Sequence, residues 1–310
     1  MIAIRLALVA ACCFSYVIFV THEHDNTYAK AIIQHKKDPD FYLSASHRFS
    51  KGRSSLFSAH SESTEHLRAA EVVFLGNSRP LIGLSHDLIA SFSKKTNRKA
   101  FNLSFDLSDN TNFASWLLDD LNHRPEYLVI HLGPYIFSGE FTLPSFESIS
   151  KGRWINSVEY LDFQIGSILQ MHTHANWGQF RLAAQPFYMF RSVKTGCVKL
   201  SGNLKPTKFK YEAQNNPLPK QMKTFAKAFC HWAEQRSIQP ILFQVPAPGL
   251  DPSQVALLAN DLKVPYVESP EGDYHTFDNS HLTPADAEKF TRGLLAELEK
   301  IMTPDLTPRK

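Results

Sequence analysis

Cysteine is scarce in this 310-residue chain, and neither sign of charge predominates. The four cysteines include no C-x-x-C pair, which argues against a structural zinc site of the usual spacing. Lys and Arg number 33 against 30 Asp and Glu, so the chain lacks the basic excess of an electrostatic nucleic-acid binder. The phosphate-cradling loops G-x-G-x-x-G and G-x-x-x-x-G-K-[ST] are also missing, and no cofactor is expected.

The rest of the composition is that of a globular protein, with 43% hydrophobic and 20% charged residues. The length suits one large domain or a domain with a long insertion. Cys197 and Cys230 lie in the main body of the chain. They can form a disulfide if that body is outside the cytoplasm, but two buried free thiols are the preferred interpretation.

The N-terminus carries a long apolar run, in which Arg5 is followed by fifteen uncharged residues from Leu6 to Val20. No small-x-small cleavage site follows this run, which favours an uncleaved membrane helix over a cleaved signal peptide. A lone N-terminal Arg keeps that end inside, so the body is expected outside the cytoplasm. We assign residues 1–21 to a membrane anchor and the polar residues 22–70 to a stalk or linker.

Short apolar runs alternate with amphipathic stretches from residue 71 to 302. This alternation predicts an α/β domain with a central parallel sheet of about five strands and helices on both faces. An aromatic-rich insertion, 138–220, follows the third strand. The predicted strands are 71–75, 100–103, 127–132, 241–245 and 264–267. The predicted helices are 84–96, 109–122, 221–235, 252–262 and 283–301.

One candidate nucleophile follows the first predicted strand, in the segment Gly76-Asn77-Ser78-Arg79. Ligands of parallel sheets bind at the carboxyl ends of the strands, so this position is a favourable one. A serine on a tight strand-to-helix turn projects its hydroxyl outward, and Gly76 permits the tight backbone. A simple helix cap is the ordinary alternative for Ser78.

A candidate base lies just before the last helix, in Asp278-Asn279-Ser280-His281. A carboxylate three residues before a histidine can bond one imidazole nitrogen and leave the other to accept a proton from Ser78. Ser78 and His281 are 203 positions apart, but the fold class places both at the same edge of the sheet. A loop-stabilising Asp–His pair is an equally weighted alternative.

Four segments in order resemble the sequence blocks of the SGNH (GDSL-type) hydrolases, and the resemblance covers roughly residues 70–137 and 238–300. It implies a flavodoxin-like three-layer α/β/α fold in which Ser78 is the nucleophile, His281 the base and Asp278 its orienting partner. The matching segments are 73–79 in the variant G-N/D-S-R, 101–104, 128–135 and 278–282.

The resemblance also implies an oxyanion hole made from the Ser78 backbone N–H and two further donors. Ser104 stands where the second block has glycine, and its backbone N–H is the expected second donor. The third-block Asn is absent, and Tyr135 or Asn102 is the expected substitute, since loss of one such donor costs about 10²–10³-fold in rate. Arg79 and Asn102 are the candidate substrate-binding residues. A structural ion pair is the equal alternative for Arg79.

Membrane-anchored proteins of this kind are similar to those of bacterial cell-surface polymer acylation, including alginate O-acetylation and teichoic-acid D-alanylation. The resemblance therefore implies a periplasmic serine acyl esterase or O-acyltransferase acting on a cell-envelope polymer. The implied partners are a cell-surface polysaccharide or acyl donor, the membrane and a multi-pass membrane acyltransferase. The alternatives are an inactive SGNH-like scaffold that binds polysaccharide or such an acyltransferase, and a small-molecule-binding domain without acyl chemistry.

Two histidines, His172 and His174, have a spacing that could place both imidazoles on one face of a strand. No Asp, Glu or Cys lies close to them in the sequence. Surface histidines are therefore the preferred interpretation, and no metal site is predicted.

Overall fold

The computed structural model describes residues 40–46, 61–104, 110–133, 136–138, 188–201 and 204–303. The predicted anchor, the two candidate metal histidines and Tyr135 lie outside these ranges. Within them, no helix combines the length and the hydropathy of a membrane span. The same ranges contain no cluster of three or more His, Cys, Asp or Glu side chains that could hold a metal ion.

Sixteen helices and strands make up the described part of the chain. The strands are β1 (Phe41–Ser46), β2 (Val72–Leu75), β3 (Ala100–Asn102), β4 (Tyr127–His131), β5 (Tyr188–Ser192), β6 (Val198–Ser201), β7 (Thr207–Tyr211), β8 (Gln239–Phe243) and β9 (Gly272–Thr276). The helices are α1 (Ser61–Arg68), α2 (Ser78–Gly83), α3 (His86–Thr96), α4 (Thr111–Asp120), α5 (Lys220–Glu234), α6 (Ser253–Leu262) and α7 (Pro284–Met302).

The central sheet is parallel, with the strand order β3-β2-β4-β8. The first four predicted strands and the five predicted helices are confirmed to within two residues at each end. The predicted fifth strand, 264–267, is reduced to one parallel bridge between Tyr266 and Leu242. Pro265 has no N–H and enters the ladder only through its carbonyl, which accepts from Leu242 N–H. The sheet therefore has four strands rather than about five.

Helices cover both faces of this sheet because successive strand side chains point to opposite sides. Val73 and Leu75 pack into a core with α1, α4, α5 and α6. Val72 and Phe74 pack into a second core with α3 and α7. All four side chains of β2 are buried, as expected for a strand covered on both faces. The turn that carries Ser78, the candidate nucleophile, therefore begins from the interior of the sheet.

Two stretches of the expected stalk or linker, 22–70, are folded against the body instead. Leu67 of α1 is fully buried in the core, and Ala70 beside it is also buried. Strand β1 pairs antiparallel with β5, with Phe41 opposite Ser192. The expectation therefore fails for these stretches, because the partners that bury them come from distant parts of the chain.

The insertion also contributes strands to the body. β5 and β6 form an antiparallel hairpin, and β7 pairs antiparallel with β9 just before the predicted His281 segment. None of these strands is predicted from the sequence. β7 alternates lysine with an aromatic residue, but most of it is exposed. Cys197 and Cys230 are both free and buried, as preferred. Burial raises the pKa of the Cys197 thiol to about 12 and that of Cys230 to about 11.

The β5–β6 hairpin holds the end of β3, where the second SGNH-like segment begins. Asn102 N–H donates to the Thr195 carbonyl at 2.7 Å, and Arg191 Nη2 donates to the Asn102 carbonyl at 2.9 Å. Gly196 has φ +67°, and a side chain there would overlap the Asn102 carbonyl oxygen and the Phe101 ring. The hairpin therefore requires a glycine at this close approach.

We predict that Gly196→Ala lowers the free energy of unfolding by about 2–4 kcal/mol, from strain at positive φ and from overpacking. Gly249→Ala is the matched control, since Gly249 also has positive φ but no atom within 4 Å of a built Cβ. Urea unfolding of both variants measures the difference. Equal losses in the two variants would show that the hairpin does not pack tightly against β3.

Candidate active site

Ser78 lies at the carboxyl end of β2, as the first residue of α2. A side chain at Gly76 would clash with the Pro80 ring and approach His131 Cβ to 2.9 Å, so only glycine fits this turn. Asn77 caps α2, and its Oδ1 accepts from Arg79 N–H at 3.0 Å. Ser78 is only 9% exposed, yet its hydroxyl reaches a residue from the other end of the chain.

The predicted base and its carboxylate are the residues that Ser78 meets. His281 Nε2 lies 2.8 Å from Ser78 Oγ, and His281 Nδ1 lies 2.7 Å from Asp278 Oδ2. An ionised carboxylate only accepts, so Nδ1 carries the hydrogen and Nε2 accepts from the Ser78 hydroxyl. The structure thus brings together all three predicted catalytic residues in the predicted order.

The loop that holds Asp278 is organised by its own carboxylate. Asp278 Oδ1 accepts from Ser280 N–H at 3.0 Å and from His281 N–H at 2.8 Å. Asn279 between them has φ +62°, a conformation that asparagine tolerates better than most residues. Burial on its own raises the pKa of Asp278, but the hydrogen bonds from His281 and Ser280 outweigh it and lower that pKa. Asp278 is therefore ionised at neutral pH.

Helix α7 fixes this loop relative to the nucleophile turn. Thr283 caps α7 by accepting from Asp286 N–H, with Pro284 at the first helical position, as predicted. Thr291 Oγ1 then accepts from Ser85 N–H at 3.0 Å, and its single hydrogen is shared between the carbonyls of Ala287 at 2.7 Å and Gly83 at 3.3 Å. These bonds tie α7 to the end of α2, so His281 and Ser78 are held by one rigid unit.

The structure places two of the predicted oxyanion and substrate residues away from these roles. Asn102 is fully buried, and its Nδ2 donates to the Pro80 carbonyl at 2.9 Å. Its Oδ1 accepts from Ser104 N–H at 3.1 Å, so the expected second oxyanion donor is already engaged. Asn102 is thus a positioning residue that joins the loop after β3 to α2, not a substrate contact. The Ser78 N–H is in the first turn of α2, where helical N–H groups have no intrahelical partner.

Arg79 is half-buried, and part of its guanidinium is enclosed by the protein. Its Nε and Nη1 atoms are buried without a hydrogen-bond partner, and no carboxylate of the described ranges forms an ion pair with it. Burial lowers the pKa of Arg79, and the charge of Asp278 opposes that shift. The structural ion pair considered for Arg79 is therefore not formed with any residue that the structure describes.

Two further residues belong to this site, and the sequence analysis assigned no role to either. His131, at the end of β4, is fully buried, and its Nδ1 accepts from Val245 N–H at 3.1 Å. Burial sets the pKa of His131 well below its ordinary value, and the Arg79 charge acts in the same direction. Asn77, 1% exposed, has an unpartnered Nδ2. The sequence feature that could have identified His131 is its position as a histidine at the end of a predicted apolar strand.

The chain matches no protein-family model and no curated protein. The interpretation of the site therefore rests on its geometry. A carboxylate, an imidazole and a serine hydroxyl in hydrogen-bonded sequence are the groups that convert a serine into a nucleophile.

Proposed function

We propose that this protein is a serine acyl esterase or O-acyltransferase that acts through Ser78, His281 and Asp278. The observation that carries the proposal is the continuous hydrogen-bonded chain from Asp278 through His281 to Ser78. A loop-stabilising Asp–His pair would need no serine hydroxyl at 2.8 Å from the free imidazole nitrogen. The position at the carboxyl edge of the sheet adds support, because such edges bind ligands.

In this mechanism the Ser78 oxygen attacks an acyl carbonyl while His281 Nε2 takes the hydroxyl proton. Asp278 stabilises the imidazolium that forms. Collapse of the tetrahedral intermediate breaks the ester bond, and His281 returns the proton to the leaving alcohol. The acyl group on Ser78 then passes to water in an esterase, or to a sugar hydroxyl in a transferase. The Ser78 N–H is the available backbone donor for the developing oxyanion.

The strand order supports the finer proposal of a flavodoxin-like, SGNH-like domain. Counted along the chain, the parallel strands and the Tyr266 bridge follow the order 2-1-3-4-5 of flavodoxin-like folds. The periplasmic location, the membrane anchor and a multi-pass acyltransferase partner are proposed from the apolar N-terminal run and the SGNH resemblance. A cell-envelope polysaccharide is the proposed acyl acceptor or ester substrate.

One observation favours the non-catalytic scaffold as a second candidate. The Ser104 N–H, which the SGNH resemblance assigns to the oxyanion hole, is bonded to Asn102. A site with fewer free donors can keep its shape and bind a polysaccharide with little turnover. The two candidates differ in whether Ser78 reacts.

Serine-reactive fluorophosphonate applied to the full-length protein separates them. We expect one adduct by intact mass, mapped to Ser78, because the imidazole activates that hydroxyl. His281→Ala should slow labelling by at least about 100-fold, within the range of general-base catalysis. Ser85→Ala is the matched control, since Ser85 is half-buried and its side chain makes no capping hydrogen bond.

A wild-type protein that melts cooperatively yet gains no adduct would overturn the enzyme proposal and favour the scaffold. An adduct on another serine, with Ser78 unmodified, would exclude the proposed triad.

A further inference from the structure

We propose that the site selects substrates carrying an anionic oxygen, a carboxylate or phosphate, which Asn77, Arg79 and His131 bind beside the nucleophile. This inference rests on the proposed acyl chemistry of Ser78. Its basis is a set of buried polar atoms without partners: Asn77 Nδ2, Arg79 Nε, Arg79 Nη1 and His131 Nε2. Buried polar groups in native proteins are nearly always hydrogen-bonded, so several unpartnered ones at one place point to a missing ligand.

Each of these atoms is a hydrogen-bond donor. His131 Nδ1 accepts from Val245 N–H, so the neutral ring carries its hydrogen on Nε2. Asn77 Oδ1 is held by Arg79 N–H, which leaves the NH₂ group facing the other way. Arg79 can only donate. A group that satisfies all three residues must therefore be an acceptor.

Two of the donors face the same space, beside Gly133. A Cβ built on Gly133 would lie 2.8 Å from His131 Nε2 and 3.0 Å from Asn77 Nδ2. Any side chain at position 133 would collide with both donors, so glycine is what allows them to lie this close together. Asn77 directly precedes Ser78, and His131 lies against Gly76 at the start of the same turn.

Arg79 supplies the charge that makes an anion the preferred acceptor. Its backbone N–H bonds to Asn77 Oδ1, which places it beside the other donors, and within the described ranges its guanidinium forms no ion pair. Asp278 attracts it, but both Asp278 oxygens accept from His281 and its loop. Burying guanidinium nitrogens without hydrogen-bond partners is costly, and charge-assisted bonds to a carboxylate or phosphate are among the strongest available to Arg. An anionic ligand therefore offsets the free-energy cost of the unpartnered guanidinium nitrogens, whereas a neutral ligand does not offset the cost of their charge.

The test compares matched esters on the full-length protein. On the alcohol side, 4-acetoxybenzoate and 4-acetoxyphenyl phosphate are each compared with the methyl ester of 4-acetoxybenzoate. On the acyl side, mono-4-nitrophenyl succinate is compared with its methyl ester. We expect kcat/KM for an anionic member of at least one pair to exceed that of the neutral member by about tenfold or more, as for one charge-assisted bond. Arg79→Gln should reduce this ratio to near one.

Arg292→Gln is the matched control, because Arg292 is exposed on α7 and pairs with Glu288 at the surface. It should leave the ratio unchanged. Arg79→Lys is a second variant that keeps the charge but loses the planar fork, and it should give an intermediate ratio. Arg79→Gln should also melt at the wild-type temperature or above it, since it removes a half-buried charge that has no ion-pair partner in the described ranges.

The outcome separates this inference from the proposed function. Turnover with no preference for any anionic ester, or a preference that Arg79→Gln retains, overturns the anion site and leaves Ser78 chemistry standing. If no ester is turned over, binding decides: 4-acetoxybenzoate should raise the melting temperature of the Ser78→Ala variant more than its methyl ester does. Absence of that difference, or its persistence when Arg79→Gln is added, overturns the inference.

Discussion

Ser78→Ala will lower kcat/KM for 4-nitrophenyl acetate by at least about 10⁴-fold, because loss of the nucleophile removes the acyl-enzyme route. The remaining rate should be what substrate binding and the backbone donor alone provide. Steady-state hydrolysis of the purified full-length protein measures this change. Wild-type activity in the Ser78→Ala protein would exclude Ser78 as the nucleophile.

The same substitution should leave the fold almost unchanged. Ser78 Oγ is bonded to His281, and loss of one such bond costs about 0.5–1.5 kcal/mol. We expect the melting temperature to fall by no more than about 4 °C. Ser85→Ala, seven residues along the chain, should change neither activity nor melting temperature. A large loss of stability in Ser78→Ala alone would indicate that the hydroxyl is structural.

Asp278→Asn will reduce kcat by about 10⁴-fold, because an amide at this position stabilises the wrong imidazole tautomer. An Asn Nδ2 facing His281 would donate to Nδ1 and move the ring hydrogen to Nε2. His281 could then no longer accept the Ser78 proton. The measurement is kcat between pH 5 and 9, with labelling by fluorophosphonate as a second readout.

The control for this variant is the second Asp–His pair of the same region. Asp286 Oδ2 lies 3.1 Å from His275 Nδ1 and caps the start of α7 through Thr283, but it does not contact Ser78. Asp286→Asn should cost stability and leave kcat within a few-fold of wild type. Two outcomes would show that Asp278 only stabilises its loop. One is an equal loss of activity in both variants, and the other is a loss below about tenfold in Asp278→Asn, against the roughly 10⁴-fold expected.

The lowered pKa of Asp278 adds a pH signature to the same comparison. Because the folded pKa lies below the unfolded value of about 3.9, the carboxylate stabilises the fold fully above that pH. This contribution is lost as pH falls through the folded pKa. The difference in melting temperature between wild type and Asp278→Asn should therefore be constant at neutral pH and shrink below about pH 4.

The sequence alone determined most of the central layer. The apolar runs that became β2, β3, β4 and β8 are covered on both faces, and such strands are continuous in sequence and easy to detect. The helices followed from their periodicity and caps. Because parallel strands align their carboxyl ends, the sequence also placed Ser78 and His281 at one edge.

Only the tertiary structure determined the strands and side-chain contacts that depend on residues far away in the sequence. β1 and β9 carry little apolar alternation, and β7 is mostly exposed. These segments form strands because β1 pairs with β5 and β7 pairs with β9. Asn102 and Ser104 were expected to face the substrate. Both are buried instead, and the Ser104 N–H donates to the side-chain amide oxygen of Asn102. The unpartnered donors of Asn77, Arg79 and His131 could not be predicted from the sequence either. Periodicity indicates which face of an element a residue lies on, but not which atoms its side chain contacts.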